Sequence, residues 1–312
     1  MIDILAIGEL LIDFSPAGKK TNPLYEMNPG GAAANVLAAC AALGGSTEFV
    51  GSVGMDDFGD FLEDKLKEAG VGTAGLVKRG GLHTKLAFVK IDEDAVPSFT
   101  FIKEMGSSVI RKEEIRYELV QRASIIYFGS VCFTSEESAE AIREVLKRAK
   151  LNKHTLIAFD PNYRPTQWEN IDDAQKYIAE GIGYADIVKL SRGEALMITG
   201  EEDYEKAAEQ IFATGKTAVY ITLGDEGTYF ISNHERGIVE SREVNAVDTT
   251  GCGDAFMGAL LFGYLNMPSQ MQPELVRFAN AAGALCATKS GAMPAMPTMQ
   301  EVTDFMMESH AL

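Results

Sequence analysis

Apolar runs of five or six residues, each closed by glycine or a polar residue, recur along the chain. Ile4-Leu5-Ala6-Ile7-Gly8 is the first. A continuous run of this length predicts a strand buried on both faces, as in a parallel sheet. Thr47 to Val53, Ile125-Ile126-Tyr127-Phe128-Gly129, Leu156-Ile157-Ala158-Phe159-Asp160 and Ala218-Val219-Tyr220-Ile221-Thr222-Leu223 predict further strands. Between them the period lengthens to that of a helix. Asp57 to Ala69 is amphipathic, and Ser135 to Lys150 joins two core strands as a βαβ unit. Ala32 to Leu43 and Arg277 to Thr288 are rich in small residues and predict tightly packed helices.

The pattern changes again over Thr84 to Lys90 and Ser98 to Lys103, which alternate around Asp92-Glu93-Asp94 and predict a hairpin. With Phe14 to Asn28, these segments predict a small sheet projecting from the main fold. The expected class is α/β: a three-layer, mainly parallel sheet flanked by helices. The small-sheet strands enter as insertions at about 14–28 and 84–106 of one domain spanning 1–312. No internal repeat or low-complexity linker interrupts the pattern.

Composition narrows the partners. The chain has 312 residues, 46% apolar and 23% charged, the balance of a soluble globular protein. Its net charge of −17 repels nucleic acid and anionic membrane surfaces, although local amides and arginines can still hold a small phosphate. Cys40, Cys132, Cys252 and Cys286 lack zinc-ligand spacing, and His83, His154, His234 and His310 are scattered. Ala32 to Leu43 is too short to span a bilayer. The N-terminus opens directly into a strand without a secretory pattern, so the expected location is cytoplasmic.

The chemistry is concentrated at Asp248-Thr249-Thr250-Gly251-Cys252-Gly253-Asp254, ahead of the small and apolar run to Tyr264. The amides of Gly251, Cys252 and Gly253 would emerge from a helix N-terminus, an anion site. Asp254 is then either a base beside that anion or an ordinary first-turn carboxylate. Asp13 follows the first strand, where α/β sheets bind ligands, although position alone favours a solvated turn residue. Asn35 is an amide on an apolar helix face and needs partners if buried. Arg164, at the end of a strand in Asp160-Pro161-Asn162-Tyr163-Arg164, is a surface charge or a phosphate clamp.

Asp-Thr-Thr-Gly-Cys-Gly-Asp resembles the Asp-Thr-x-Gly-x-Gly-Asp signature of the ribokinase-like (PfkB) carbohydrate kinases. Asn28-Pro29-Gly30-Gly31-Ala32-Ala33-Ala34-Asn35 resembles the same family's N-terminal motif. The resemblance runs from Ile7-Gly8-Glu9 to Pro297-Thr298. It implies an ATP- and Mg²⁺-dependent sugar kinase with a β-sheet lid, in which Asp254 is the catalytic base. Gly251, Cys252 and Gly253 hold the transferred group. Asp13, Gly31 and Asn35 bind the sugar, and Arg164 the phosphate.

By the same resemblance, Glu194 with Ser191 orders magnesium and its waters, although the family has Asn where this chain has Ser191. Thr222, Gly224 and Gly227 form the nucleotide loop, with Asn280 near the adenine. Asp248, Thr250 and Gly291 would hold a monovalent cation such as K⁺, and Ala295 replaces a serine of relatives that use it. Ala32 in place of a ribokinase lysine, together with the run from Asp160 to Trp168, points to the fructokinase branch. The rivals are 2-keto-3-deoxygluconate kinase, for whose carboxylate Lys103 and Arg164 are the candidates, ribokinase and nucleoside kinase. Outside the class, the rival is a sugar-binding regulator without catalysis. A dinucleotide-dependent dehydrogenase is excluded, because no Gly-x-Gly-x-x-Gly follows the first strand. The family's lid faces also imply a homodimer joined lid to lid.

Overall fold

The computed structural model describes residues 1–17, 24–91, 97–102, 109–267 and 271–308. The chain opens with β1 (Ile2–Ile7), then enters the smaller sheet through β2 (Leu11–Pro16) and β3 (Tyr25–Gly30). Helix α1 (Ala32–Ala42), β4 (Thr47–Gly54), α2 (Asp57–Glu68) and β5 (Gly72–Arg79) return to the main sheet. Strands β6 (Lys85–Ile91) and β7 (Pro97–Phe101) complete the smaller one. The second half alternates: α3 (Tyr117–Arg122), β8 (Ala123–Phe128), α4 (Glu136–Leu151), β9 (Leu156–Phe159), α5 (Ile171–Tyr184) and β10 (Ile187–Ser191). There follow α6 (Arg192–Thr199), α7 (Tyr204–Phe212), β11 (Ala218–Thr222), β12 (Thr228–Ser232) and β13 (Arg236–Val239). Helices α8 (Cys252–Asn266), α9 (Gln272–Ala287) and α10 (Met299–Glu308) close the chain.

The main sheet runs β13-β12-β11-β10-β9-β8-β1-β4-β5, and the smaller one β3-β2-β6-β7. Neighbours from β5 to β11 are parallel; only the β11–β12 and β12–β13 pairs are antiparallel. Strand β1 shows why its run is continuous. Ile4 and Ala6 enter the apolar cluster on one face, with α1, α8 and α9, while Leu5 and Ile7 enter the cluster on the other, with α4. Both faces are covered, so alternation disappears. Helices α1 and α8 lie close together: a Cβ on Gly258 would sit 2.6 Å from the Ala39 Cβ. That approach brings residues far apart in sequence to one place, because Asn35 rides on α1 and Asp254 on α8.

One expectation changes and one strand is new. Asp13 is not in a turn beyond β1; it lies within β2 of the smaller sheet, opposite Asn28 of β3 and Ala87 of β6. Strand β5 has no apolar run to announce it. Its GTAGLVKR edge is pinned instead by Glu48, whose Oε1 accepts the Gly75 N–H at 3.1 Å beside a register shift. The hairpin of β6 and β7 is antiparallel as expected, whereas Asp92-Glu93-Asp94 and Lys103 lie outside the described residues.

Candidate functional site

The carboxyl ends of β1, β9, β10 and β11 and the inner side of the smaller sheet face one cleft. Its lining includes Asp13, Asn35, Arg164, Lys189, Glu194 and Asp254. Helix α8 begins there. Gly251 caps it at φ 82°, a left-handed value, and an added Cβ would stand 2.7 Å from that of Ala292. Only glycine takes this turn without strain. Of the three amides expected to point outward, that of Cys252 does not: it donates to the Thr249 carbonyl at 3.2 Å, closing the turn that starts the helix. Gly251 and Gly253 line the cleft.

Asp254, in the first turn of α8, is buried and held by two carboxamides. Its Oδ2 accepts from Asn35 Nδ2 at 2.9 Å and its Oδ1 from Asn162 Nδ2 at 3.0 Å. Burial pushes its carboxyl up to about 6, opposed by the Asn35 hydrogen bond and by Lys189 and Arg164. A carboxyl raised this far toward neutrality is suited to proton transfer near neutral pH.

At the smaller sheet, Asp13 Oδ1 and Asn35 Oδ1 are buried and have no hydrogen-bond partner among the described residues, and the same is true of Thr250 Oγ1. Buried acceptors in a cleft call for donors from a ligand. Burial pushes Asp13 up to about 7, reinforced by Glu9 and opposed by Arg164. Gly31, at φ 114°, caps α1, and Glu9 Oε1 accepts the N–H of Ala32 at 3.0 Å. The Arg164 guanidinium lies 5.4 Å from the Phe99 ring centre, makes no ion pair among the described residues, and donates to its neighbour's carbonyl. Lys85 adds another cation beside this end, with Nζ 5.0 Å from the Phe101 ring centre and 3.4 Å from Gln167 Oε1.

Beside Asp254 lies a buried ion pair, Lys189 Nζ to Asp160 Oδ2 at 2.8 Å. Lys189 Nζ also sits directly under the loop, 3.1 Å from where a Cβ on Gly253 would be. Burial works against its charge, but Asp160, Glu194 and Asp254 outweigh it and hold the ammonium protonated. Ser191 and Glu194 form a capping box at the start of α6, with Ser191 N and Oγ both on Glu194 Oε2. Glu194 Oε1 accepts the Tyr163 N–H at 2.7 Å, so this carboxylate ties the Asp160–Arg164 loop to β10.

No cluster of three His, Cys, Asp or Glu side chains among the described residues could hold a metal on its own. Glu194 and Ser191 nevertheless line the cleft, and a magnesium ion that keeps its waters needs only one or two such oxygens besides phosphate. The residues present therefore fit a water-mediated ion. Asp248 bridges the Thr250 N–H and the Gly291 N–H at 2.9 Å each, so these expected residues do meet.

The nucleotide residues divide. Thr222 lines the cleft; Gly224, Gly227 and Asn280 do not. Asn280 is spent inside the protein, accepting from Thr228 Oγ1 at 2.7 Å and donating to the Val239 carbonyl at 2.9 Å. Glu9, Lys85, Asn162 and Lys189 carry no expectation from sequence. Lys189 had a signal, a charge inside the apolar run Ile187-Val188-Lys189-Leu190.

Comparison with known proteins places this geometry in context. The sequence model of the pfkB family of carbohydrate kinases matches residues 1–299. Fructokinase-1 of Oryza sativa subsp. japonica is 37% identical over 314 residues, covering 97% of each chain. Among solved structures, a fructokinase from Xylella fastidiosa with bound ATP aligns with TM-score 0.88 and 31% identity, covering 99% of both chains. A fructokinase from Vibrio cholerae O395 in a fructose-, ADP- and calcium-bound form aligns with TM-score 0.86 and 28% identity, over 97% of this chain and 99% of the other.

Proposed function

Because the chain belongs to the pfkB family of carbohydrate kinases, we propose that it phosphorylates a primary hydroxyl of D-fructose with ATP. The observation that carries this reading is one cleft in which a clamped, buried carboxylate, Asp254, stands beside two orphaned acceptors, Asp13 Oδ1 and Asn35 Oδ1. These oxygens accept hydrogen bonds from sugar hydroxyls, which orients the hydroxyl that attacks. Asp254 removes its proton as the hydroxyl oxygen bonds to the γ-phosphorus and the bond to ADP breaks. Amides at the start of α8, with Lys189 beneath them and Arg164 opposite, oppose the charge gathering on the phosphoryl oxygens. Glu194 and Ser191 would hold a magnesium ion through water; when bound, it neutralises phosphate charge. Thr222 lies on the nucleotide side.

The fructose assignment is supported by Ala32 in the lining, by the Asp160–Trp168 stretch and by the relatives named above. A keto-deoxy acid is the second reading, favoured by Arg164 and Lys85 beside the sugar end. The test is ADP release with fructose, ribose and 2-keto-3-deoxygluconate, compared as kcat/KM. A higher value for either of the last two overturns the fructose assignment.

We also propose a K⁺ role for the turn of Asp248, Thr250 and Gly291. Its support is a buried carboxylate with no basic side-chain partner among the described residues. The smaller sheet leaves Leu24, Tyr25, Phe88 and Ile102 exposed, which supports a lid-to-lid homodimer. A sedimentation mass of 33.8 kDa at high concentration would refute it. No helix among the described residues is long and apolar enough to cross a membrane. We place the enzyme in the cytoplasm, in keeping with its free cysteines.

A further inference from the structure

Asn162 is the one non-glycine residue among those described with a positive φ, 46°. For a residue with a side chain this left-handed backbone is unfavourable unless its surroundings hold it, and asparagine tolerates it best. The restraints are on both sides. The Asn162 N–H donates to Asp160 Oδ1 at 3.1 Å, and the next amide, Tyr163 N–H, is held by Glu194 Oε1 at 2.7 Å. Asp160 is itself fixed, fully buried, with its other oxygen 2.8 Å from Lys189 Nζ. The result of this chain of contacts is that Asn162 Nδ2 lies 3.0 Å from Asp254 Oδ1. Asn35 reaches the other oxygen from α1.

We infer that Asn162, locked by the Lys189–Asp160 pair, is a positioning residue that fixes the plane of the Asp254 carboxylate and favours its ionised form. The role rests on the reading of Asp254 as the proton acceptor. Two donors in fixed places leave the carboxylate one orientation, so the remaining lone pairs face the cleft. A donor to a carboxylate also stabilises the charged form over the neutral one. That matters here because the groups facing Asp254 are mixed: Glu9 and Asp13 from the smaller-sheet side, Asp160 and Arg164 from the loop after β9, and Lys189 from β10. Burial and the acids oppose ionisation, and the amide clamp works with Lys189 and Arg164 against them. Lys189 acts twice, as the anchor of Asp160 and as a cation beneath Gly253.

Two variants separate the side chain from the backbone it stands on. Asn162→Gly keeps the left-handed turn and deletes the amide. Asn162→Asp keeps the size and replaces the donor by an acceptor. The measurements are kcat and KM for both substrates, and titration of the Asp254 carboxyl carbon by NMR in the ligand-free protein. For Asn162→Gly, loss of a hydrogen bond to a charged group predicts a kcat drop of roughly tenfold to a hundredfold, with both KM values within about threefold. The Asp254 midpoint rises by about one pH unit, and further in Asn162→Asp. An unmoved midpoint in both folded variants overturns the inference, as does a KM rise as large as the kcat loss. The NMR titration needs no turnover. If the wild-type enzyme phosphorylates no sugar, the proposed function fails while the clamp is still judged by the midpoint.

Discussion

Asp254→Asn replaces the proposed base by a near-isosteric group, and the structure says what else it does. Both oxygens of Asp254 accept from carboxamide nitrogens. An asparagine there presents one NH₂ to an NH₂, so Asn35 or Asn162 must turn its oxygen inward. If Asn35 turns, its orphaned Oδ1 leaves the sugar side. Loss of general-base catalysis lowers kcat by roughly 10²–10⁴. A mismatched buried amide costs about 1–3 kcal/mol.

Stability moves the other way. The Asp254 carboxyl is pushed from 3.8 to about 6 in the fold. At about 1.4 kcal/mol per pH unit, its ionisation costs the folded state about 3 kcal/mol above pH 6. A raised carboxyl value means that this stability is fully present below 3.8 and is lost as pH rises through about 6. The variant escapes that loss and suffers the amide mismatch, so its Tm at pH 8 stays within roughly 5 °C of wild type. Its stability also falls less than that of wild type between pH 4 and 7. Turnover by coupled ADP release, ATP binding by calorimetry and melting across pH measure the three effects. A folded variant with near-normal kcat would refute the assignment of Asp254. A pH–stability profile parallel to wild type would refute the burial argument.

Asp13, pushed up to about 7, is largely protonated at pH 6, and sugar hydroxyls that donate to it favour the ionised form. Sugar binding near pH 7 therefore releases a proton and tightens as pH rises from 6 to 8; calorimetry in buffers of different ionisation enthalpy that shows no release would be decisive against this. Gly251→Ala adds a left-handed strain of about 1–2 kcal/mol and a Cβ 2.7 Å from Ala292, so kcat should fall at least about tenfold, and unchanged kinetics would show that the turn is not needed. Arg164→Lys keeps a charge but loses the planar fork, and kcat should drop by roughly tenfold or more with the sugar KM less affected. Chelation of divalent metal should abolish turnover while leaving sugar binding measurable by calorimetry; activity in excess chelator would remove the water-mediated ion at Glu194.

The fold was legible where physics leaves one pattern. A strand covered on both faces must be apolar throughout, which made β1, β8, β9 and β11 readable. Strand β5 could not be read, because an edge strand held by Glu48 and rich in glycine needs no such run. Asp13 was misplaced for a related reason: Leu10-Leu11-Ile12 is as buried as any core strand, yet it packs as the root of the smaller sheet. The loop at Asp254 was legible through its glycines and acid, but its partners were not. Asn35 and Asp254 are 219 positions apart, and their contact depends on how closely α1 and α8 approach. Asn162 was invisible because its role follows from a backbone angle, and neither composition nor period reports one.

The charge of the cleft poses the last question, since a polyphosphate must enter a protein of net charge −17. Glu9, Asp13, Asp160, Glu194 and Asp254 line it against Lys189 and Arg164. Distance decides which of these a phosphate meets. The cations stand beside the proposed base: Lys189 under Gly253, and Arg164 near enough to both Asp13 and Asp254 to lower their carboxyls. The acids are partly offset: burial raises Asp13 and Asp254, Asp160 is paired with Lys189, and Glu194 accepts from the amides and hydroxyl around Ser191 and Tyr163. Yet the remaining excess of acids is too large for two cations to offset once ATP is added. A divalent ion held through water at Glu194 and Ser191 would supply the missing charge without a cage of carboxylates, and an acidic cleft would then favour the metal complex of ATP over the free nucleotide. On the proposed reading, the same acids that repel a bare phosphate would select its loaded form, and they hold the Asp254 carboxyl up where it can take a proton.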